Sequence, residues 1–116
     1  MNKIYNIVVP YSIYEKINDI QRYISNVLLN PSAGEKRARE IIEGIRSLKT
    51  FPERGFDADE KVGKQISKTE KTRGLIVADK MYLVFYTIGK NKIYITHLIP
   101  SKSDYMKLFE DKRSND

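Results

Sequence analysis

The hydrophobic period changes twice along this chain, and this change constrains the fold more than any other feature. Residues 4–9 (IYNIVV) are rich in β-branched side chains and end at Pro10, as is typical of a short strand. From Tyr11 onward, apolar side chains recur every three or four positions and therefore share one helical face. They form a first stripe of Ile13, Ile17, Ile20, Ile24 and Val27 or Leu28, and a second of Ala38, Ile41, Ile42, Ile45 and Leu48. The pattern predicts a strand followed by a helix hairpin.

Two prolines set the predicted ends of these helices. The first helix should end near Asn30, because the residue before a proline avoids helical geometry. Pro31 then suits the first turn of the second helix, where its missing N–H has no partner to lose. The second helix should end in the segment 50–55 (TFPERG), where Pro52 prevents its continuation. Residues 56–68 are polar and have no period, which predicts a long loop of the kind that is often functional or mobile.

Three segments of strand character close the chain. They are residues 74–79 (GLIVAD), 81–88 (MYLVFYTI) and 92–99 (KIYITHLI), with hairpin turns predicted at Asp79-Lys80 and Gly89-Lys90-Asn91. We therefore predict a single α+β domain over residues 1–116 in the order β-α-α-β-β-β. Its three-stranded meander is expected to be antiparallel, with the helix hairpin over one face.

A short helix is also predicted after the last strand. Ser101-Lys102-Ser103-Asp104 has the Ser-x-x-Asp form of a helix start. The helix that follows would carry Tyr105, Leu108 and Phe109.

Composition limits the classes of function. The formal net charge of +6 favours acidic partners such as nucleic acid, an acidic protein or an anionic surface, although a basic soluble protein has the same balance. The absence of cysteine excludes disulfides, thiolate metal sites and a cysteine nucleophile, and one histidine cannot build a histidine-rich metal site. We expect no metal and no cofactor. No apolar run approaches the roughly 18 residues of a membrane helix, and the first ten residues lack a signal-peptide pattern. The sequence thus predicts a cytoplasmic protein without a membrane partner.

A basic cluster is the strongest candidate for a binding site. It lies in the predicted loop and at the start of the next strand, is interrupted only by Glu70, and consists of Lys61, Lys64, Lys68, Lys71 and Arg73. Lys102 could reach the same end of the sheet. These cations could neutralise phosphates or stabilise developing negative charge. The alternative is a solvated loop without such a role.

Two further side chains have candidate roles. His97 lies in a strand, where by alternation it should face away from Thr96 and Leu98, and no carboxylate or second histidine is near it in sequence. Such a histidine is more often structural than catalytic. Tyr105 follows Lys102 in a polar segment, where it could take part in proton transfer or stack on a base. Alternatively, its ring could anchor the terminal helix by burial.

Several blocks together resemble the RelE/ParE superfamily of bacterial toxins. The run PSAGEKRAREIIEGIRSLKTFPERG is similar to the superfamily's second helix and its Leu-x-x-Phe-Pro-x-x-Gly exit turn. The run TRGLIVADKMYLVFYTIGKNKIYITHLIPSKSDY is similar to the closing meander and basic tail. With the first strand and helix, the resemblance covers about residues 4–109. It implies the toxin half of a type II toxin–antitoxin pair, often a plasmid stabilisation system, in which a cognate antitoxin wraps and neutralises a toxin that arrests growth.

The resemblance implies two classes of target. RelE-like members cleave mRNA on the ribosome with basic residues and a C-terminal tyrosine or histidine, whereas ParE-like members inhibit DNA gyrase. The position of a RelE-type catalytic arginine falls on Tyr82 here. In the ending His-x-Arg-Arg-Asp, Pro100 replaces the histidine, Lys102 one arginine and Ser103 the other. Arg73, Lys102 and Tyr105 would be the catalytic residues only of a nuclease.

Cleavage of RNA by its own 2′-hydroxyl needs a base, a cation for the pentacovalent phosphate and an acid for the leaving oxygen. Arg73 and Lys102 could supply the cation, but the sequence shows no feature that would make Tyr105 act as the acid or the base. The resemblance therefore favours a ParE-like gyrase inhibitor over a RelE-like mRNA endonuclease. A third interpretation is a basic accessory or degenerate module without toxicity.

Overall fold

The computed structural model describes residues 4–109, which have the predicted α+β architecture. Strand β1 (Asn6–Val8) leads into helix α1 (Tyr11–Arg22), which continues as one π-helical turn (Tyr23–Val27). Helix α2 (Pro31–Arg46) begins at the predicted proline and continues as a short 3-10 turn (Ser47–Lys49). The Asn30 side chain caps α2 by accepting the Ala33 N–H at 3.2 Å. The helix hairpin and its boundary at Pro31 are confirmed.

Residues 56–109 contain six elements. They are β2 (Phe56–Asp57), α3 (Ala58–Val62), β3 (Thr72–Val77), β4 (Tyr82–Ile88), β5 (Lys92–Pro100) and α4 (Tyr105–Leu108). The three long strands, their two turns and the terminal helix agree with the predicted meander. Residues 79 and 80 have positive φ angles of 54° and 66°, which reverses the chain sharply between β3 and β4.

One sheet of five strands in the order β1-β5-β4-β3-β2 joins both halves. Strand β1 runs parallel to β5, and all other neighbours are antiparallel. The helix hairpin covers one face, where its apolar stripes meet the sheet. The core on this side is formed by Ile13, Ile17, Ala38, Ile41, Ile45 and Leu48 from the helices and by Leu75, Val84, Tyr86, Ile93, Ile95 and Leu98 from the sheet.

A smaller core lies on the opposite face of the sheet. Leu83 and Phe85 point to that side and contact residues of β2, α3 and the C-terminal segment, among them Ala58 and Phe109. A β-bulge at Thr96 changes the alternation of β5, because Phe85 pairs with His97 whereas Tyr86 pairs with Ile95. His97 shares the face of its partner Phe85 and faces away from Leu98, as predicted. The prediction that it also faces away from Thr96 was wrong, because at the bulge the Thr96 hydroxyl lies 2.9 Å from His97 Nδ1.

Two further expectations from the sequence were wrong. Residues 56–68 are not a continuous loop, because β2 and α3 occupy residues 56–62. Elements of two and five residues are too short to produce a hydrophobic period, so the sequence pattern cannot detect them. In addition, Ser101 does not cap the terminal helix. Its hydroxyl donates to the Lys80 carbonyl oxygen at 2.6 Å, and α4 begins after Asp104 without a side-chain cap.

Candidate functional site

A cleft on the face of the sheet opposite the helix hairpin is the first candidate site. This sheet cleft has a volume of about 880 Å³ and is lined by Phe56, Asp57, Glu60, Lys61, Ile76, Leu83, Ser101 and Tyr105. Helix α3 and the segment before α4 form its walls, and the sheet forms its floor. The structure therefore brings together two of the residues predicted from the sequence, Lys61 and Tyr105.

The other predicted cations do not line this cleft. Lys64, Lys68 and Lys102 are exposed to solvent elsewhere on the surface. Lys71 donates to Asp57 at 3.1 Å and is thereby paired. Among the described residues that line the cleft, Lys61 is the one cation, and Asp57 and Glu60 add two carboxylates to the same lining. The cleft is therefore not a strongly positive site.

Asp57 stays ionised at the start of α3. Its carboxylate accepts the Glu60 N–H at 3.1 Å as the helix cap. This hydrogen bond, followed by the one from Lys71, holds the pKa of Asp57 below its ordinary value of 3.8. Both interactions favour the charged form, so Asp57 is suited to fixing α3 and not to donating a proton.

Tyr105 contacts the smaller core through its ring. The ring is half-buried and lies 5.5 Å, centroid to centroid, from the ring of Phe85. Among residues 4–109 no hydrogen bond to the Tyr105 hydroxyl is present. In this position the ring anchors the C-terminal segment, which is one of the alternative roles that the sequence suggested for Tyr105.

Arg73 is the predicted site residue whose surroundings differ most from the expectation. Its guanidinium donates to the Gly55 carbonyl oxygen at 2.6 and 3.1 Å and to the Glu53 carbonyl oxygen at 3.2 Å. A guanidinium bound to backbone in this way is less available to a phosphate than a free one. Arg73 thus holds the segment Thr50–Gly55, which we call the exit turn because it leads out of α2.

Tyr86 fixes the same turn from inside the sheet. Its hydroxyl donates to the Pro52 carbonyl oxygen at 2.6 Å and accepts the Gly55 N–H at 3.2 Å, and the side chain is fully buried. Burial raises the pKa of Tyr86 above its ordinary value of 10.0, so the hydroxyl keeps its proton at neutral pH. The sequence did not single out Tyr86. Its partners lie 31 and 34 residues away, and no local pattern indicates such contacts.

His97 is on the same face of the sheet as the cleft but does not line the cleft, and it is packed as a structural residue. Its ring contacts Phe85 and Phe109 edge to face at centroid distances of 6.2 and 5.2 Å. Burial, and then the positive charge of Lys16, lower the pKa of His97 below 6.5. The neutral form is therefore favoured in the folded state.

This lowered pKa predicts a loss of stability in mild acid. Protonation is easier in the unfolded chain, so the contribution of His97 is present above pH 6.5 and is lost as the pH falls below 6.5 and through the lower pKa of the folded state. Because the chain contains one histidine, its NMR titration is unambiguous and should give a pKa below 6.5. Between about pH 5 and about pH 7.5, His97→Phe should weaken the dependence of the melting temperature on pH. A pKa at or above 6.5 in the folded protein would contradict this account.

No helix within residues 4–109 is both long and apolar enough to cross a membrane. The same residues contain no cluster of three or more histidine, aspartate or glutamate side chains placed to hold a metal ion.

Comparison with known proteins agrees with the resemblance seen in the sequence. A family model described as "ParE toxin of type II toxin-antitoxin system, parDE" matches residues 14–105. A solved structure described as "Chromosomal ParDE TA system from P. aeruginosa" superposes with a TM-score of 0.65, covering 85% of this chain and 98% of that one at 14% sequence identity. At this identity the superposition shows a common fold. No curated protein sequence matches this chain.

Proposed function

We propose that this chain, which belongs to the ParE toxin family of type II toxin–antitoxin systems, arrests bacterial growth in the cytoplasm by inhibiting DNA gyrase without cleaving a bond. Its activity would be neutralised by a cognate antitoxin. Membership of this family is the basis for proposing a toxin. The geometry of the site supports gyrase over mRNA as its target.

The low positive charge of the sheet cleft is the observation that favours gyrase over mRNA. A ribonuclease of the RelE type must stabilise a pentacovalent phosphate with cations and move two protons. The described residues that line the cleft include one cation and two carboxylates. Arg73 is bound to the exit turn and Tyr105 lies against Phe85, so neither is arranged as a phosphate-binding or proton-transfer group.

Induced expression of the chain, together with an assay of the purified protein on gyrase, tests this proposal. We expect expression of the chain to arrest growth and to induce the DNA damage response, while cellular mRNA stays intact. The purified protein should inhibit supercoiling by gyrase. Co-expression of the antitoxin encoded beside it should relieve the growth arrest and the DNA damage response. A well-expressed, soluble protein that permits normal growth would contradict the toxin assignment. Growth arrest with codon-specific mRNA cleavage and no effect on gyrase would support the endonuclease instead.

A further inference from the structure

The outer edge of strand β3 is only partly covered. Strand β4 pairs with β3 from Thr72 to Val77, whereas β2 pairs with it at Arg73 and Gly74. In the part of the chain that the structure describes, residues 75–77 therefore have a neighbouring strand on one side and none on the other. An open strand edge offers unpaired N–H and C=O groups to another chain, and proteins commonly block such edges.

The backbone groups before and after this gap are already occupied. The Thr72 N–H donates to the Asp59 carboxylate at 3.3 Å. The Gly74 carbonyl oxygen faces the exit turn, and the Ala78 carbonyl oxygen accepts from the Arg37 guanidinium at 2.9 Å. These contacts block the edge of β3 at both ends of the gap.

Ile76 is the residue at which the edge stays open. Backbone groups of alternate residues in a strand point to the same side, so the N–H and C=O of Ile76 point away from β4, as those of Thr72 and Gly74 do. Neither group forms a hydrogen bond with another described residue on that side. Ile76 is also 52% exposed. One residue of an antiparallel strand from another chain could exchange two hydrogen bonds with it.

The side chains beside the gap differ between the two faces of the sheet. On the face opposite the helix hairpin, the Ile76 side chain lines the sheet cleft together with Phe56 and Leu83. On the hairpin side, a groove of about 350 Å³, which we call the edge groove, lies between α2 and the edge of β3. The charged residues that line the edge groove are Glu40, Glu43, Arg54 and Asp79. A strand placed along the gap would direct alternate side chains into these two surfaces.

The edge groove is locally acidic, although the chain has a net charge of +6. Arg54 is the one cation among its described lining residues, against three acids. Glu40 pairs with Arg37 at 3.3 Å, whereas no ion pair of Glu43 or Asp79 is present within the described chain. Complementarity therefore favours lysine or arginine on the side of an incoming strand that faces α2. The apolar floor of the sheet cleft favours an apolar side chain on the other side.

We propose that this gap in the edge of β3 is a docking site for an extended segment of a partner protein. The segment has an apolar residue paired with Ile76 and directed into the sheet cleft, and a lysine or arginine on each side of it directed into the edge groove. A second copy of this chain is blocked, because its own β2 lies on the same edge at Arg73 and Gly74 and would meet the turn between β3 and β4. The site is separate from the choice between gyrase and mRNA.

Binding of a synthetic peptide tests the charge pattern. The probe is a short peptide of alternating lysine and valine with blocked ends, and its binding to the full chain is followed by fluorescence anisotropy. We expect binding although both molecules are positively charged. The double variant Glu43→Gln, Asp79→Asn is expected to raise the Kd about 3- to 10-fold, as the loss of two exposed ion pairs does. Glu35→Gln is the matched control, because Glu35 is an exposed acid of α2 that does not line the edge groove.

Hydrogen exchange measured by NMR tests the position of the peptide. In the free chain the Ile76 amide should exchange faster than the amides of Leu75 and Val77, which point toward β4. Saturating peptide is expected to slow exchange at Ile76 by at least about 10-fold, because its N–H gains a partner. A peptide methylated on the amide nitrogen of its central valine should bind more weakly, since it cannot donate to the Ile76 carbonyl oxygen. A peptide of equal composition without alternation should also bind more weakly.

Several results would overturn the proposal. They are the absence of peptide binding, an equal Kd for the wild type and a fully folded double variant, and binding without added protection of Ile76. Protection of Ile76 that rises with the concentration of the chain alone would overturn it as well, because a second copy would then cover the edge. The assay contains neither gyrase nor mRNA, so its failure would leave the proposed function intact.

Discussion

Gly55→Ala is expected to lower the free energy of unfolding by about 3 kcal/mol. A β-carbon at this position would overlap the Gly74 carbonyl oxygen and lie 2.8 Å from the Tyr86 hydroxyl oxygen. The first atom is backbone in a sheet and cannot rotate away. The second belongs to a buried ring whose hydroxyl already binds the exit turn. The added methyl group must therefore displace the turn from β3 and weaken the hydrogen bonds from Arg73 and Tyr86.

Denaturant unfolding monitored by circular dichroism measures this loss. Gly89→Ala serves as the control, because its β-carbon would meet its nearest neighbour at an ordinary 3.4 Å, from the ring of Tyr94. That variant should stay within about 0.5 kcal/mol of the wild type. Equal stability of Gly55→Ala and Gly89→Ala would show that the exit turn is not held as closely as the structure indicates.

The sequence predicted those elements of the fold in which apolar side chains recur at a regular spacing over many residues. Ile13 and Ile17 in α1 and Ile41 and Ile45 in α2 repeat at helical spacing because each helix buries one face. Pro31 restricts the backbone by its own ring, so its position fixes a boundary without tertiary context. The resemblance to a toxin superfamily likewise rested on blocks of 25 and 34 residues, which the family match over residues 14–105 supports.

The site was less predictable, because it depends on contacts between distant residues. Arg73 was grouped with Lys71 and other lysines as a free cation, yet its guanidinium binds carbonyl oxygens 18 and 20 residues earlier in the chain. A basic side chain looks the same in sequence whether it faces solvent or backbone. The adjacent motif Phe51-Pro52-Glu53-Arg54-Gly55 was recognised, but its attachment to Tyr86 depends on the register of β4 with β3. These residues come together because β3 and β4 pair in the sheet, and neither segment alone indicates the contact.

Tyr105 distinguishes the two mechanisms that the superfamily allows. We expect Tyr105→Phe to retain growth arrest and gyrase inhibition at the wild-type level. The ring contacts Phe85 at 5.5 Å, and phenylalanine keeps both its apolar area and its π-face. Tyr105→Ala, by contrast, should destabilise the C-terminal segment by about 2 kcal/mol, because it removes a half-buried ring from the smaller core. Activity of the Ala variant should fall only as far as its folded fraction falls.

An endonuclease that used the hydroxyl for proton transfer would respond in the opposite way. General acid–base groups contribute about 10²–10⁴-fold in rate, and phenylalanine cannot exchange a proton. The Phe variant would then lose nearly all cleavage while keeping its melting temperature. Measuring growth arrest, gyrase inhibition and melting temperature for wild type, Phe and Ala therefore separates proton transfer from packing. Separate measurements are needed, because the loss of a packing contact lowers the melting temperature, whereas the loss of a proton-transfer group lowers the reaction rate and leaves the melting temperature unchanged. Loss of toxicity in a fully folded Tyr105→Phe variant would refute the binding mechanism and assign catalysis to the sheet cleft.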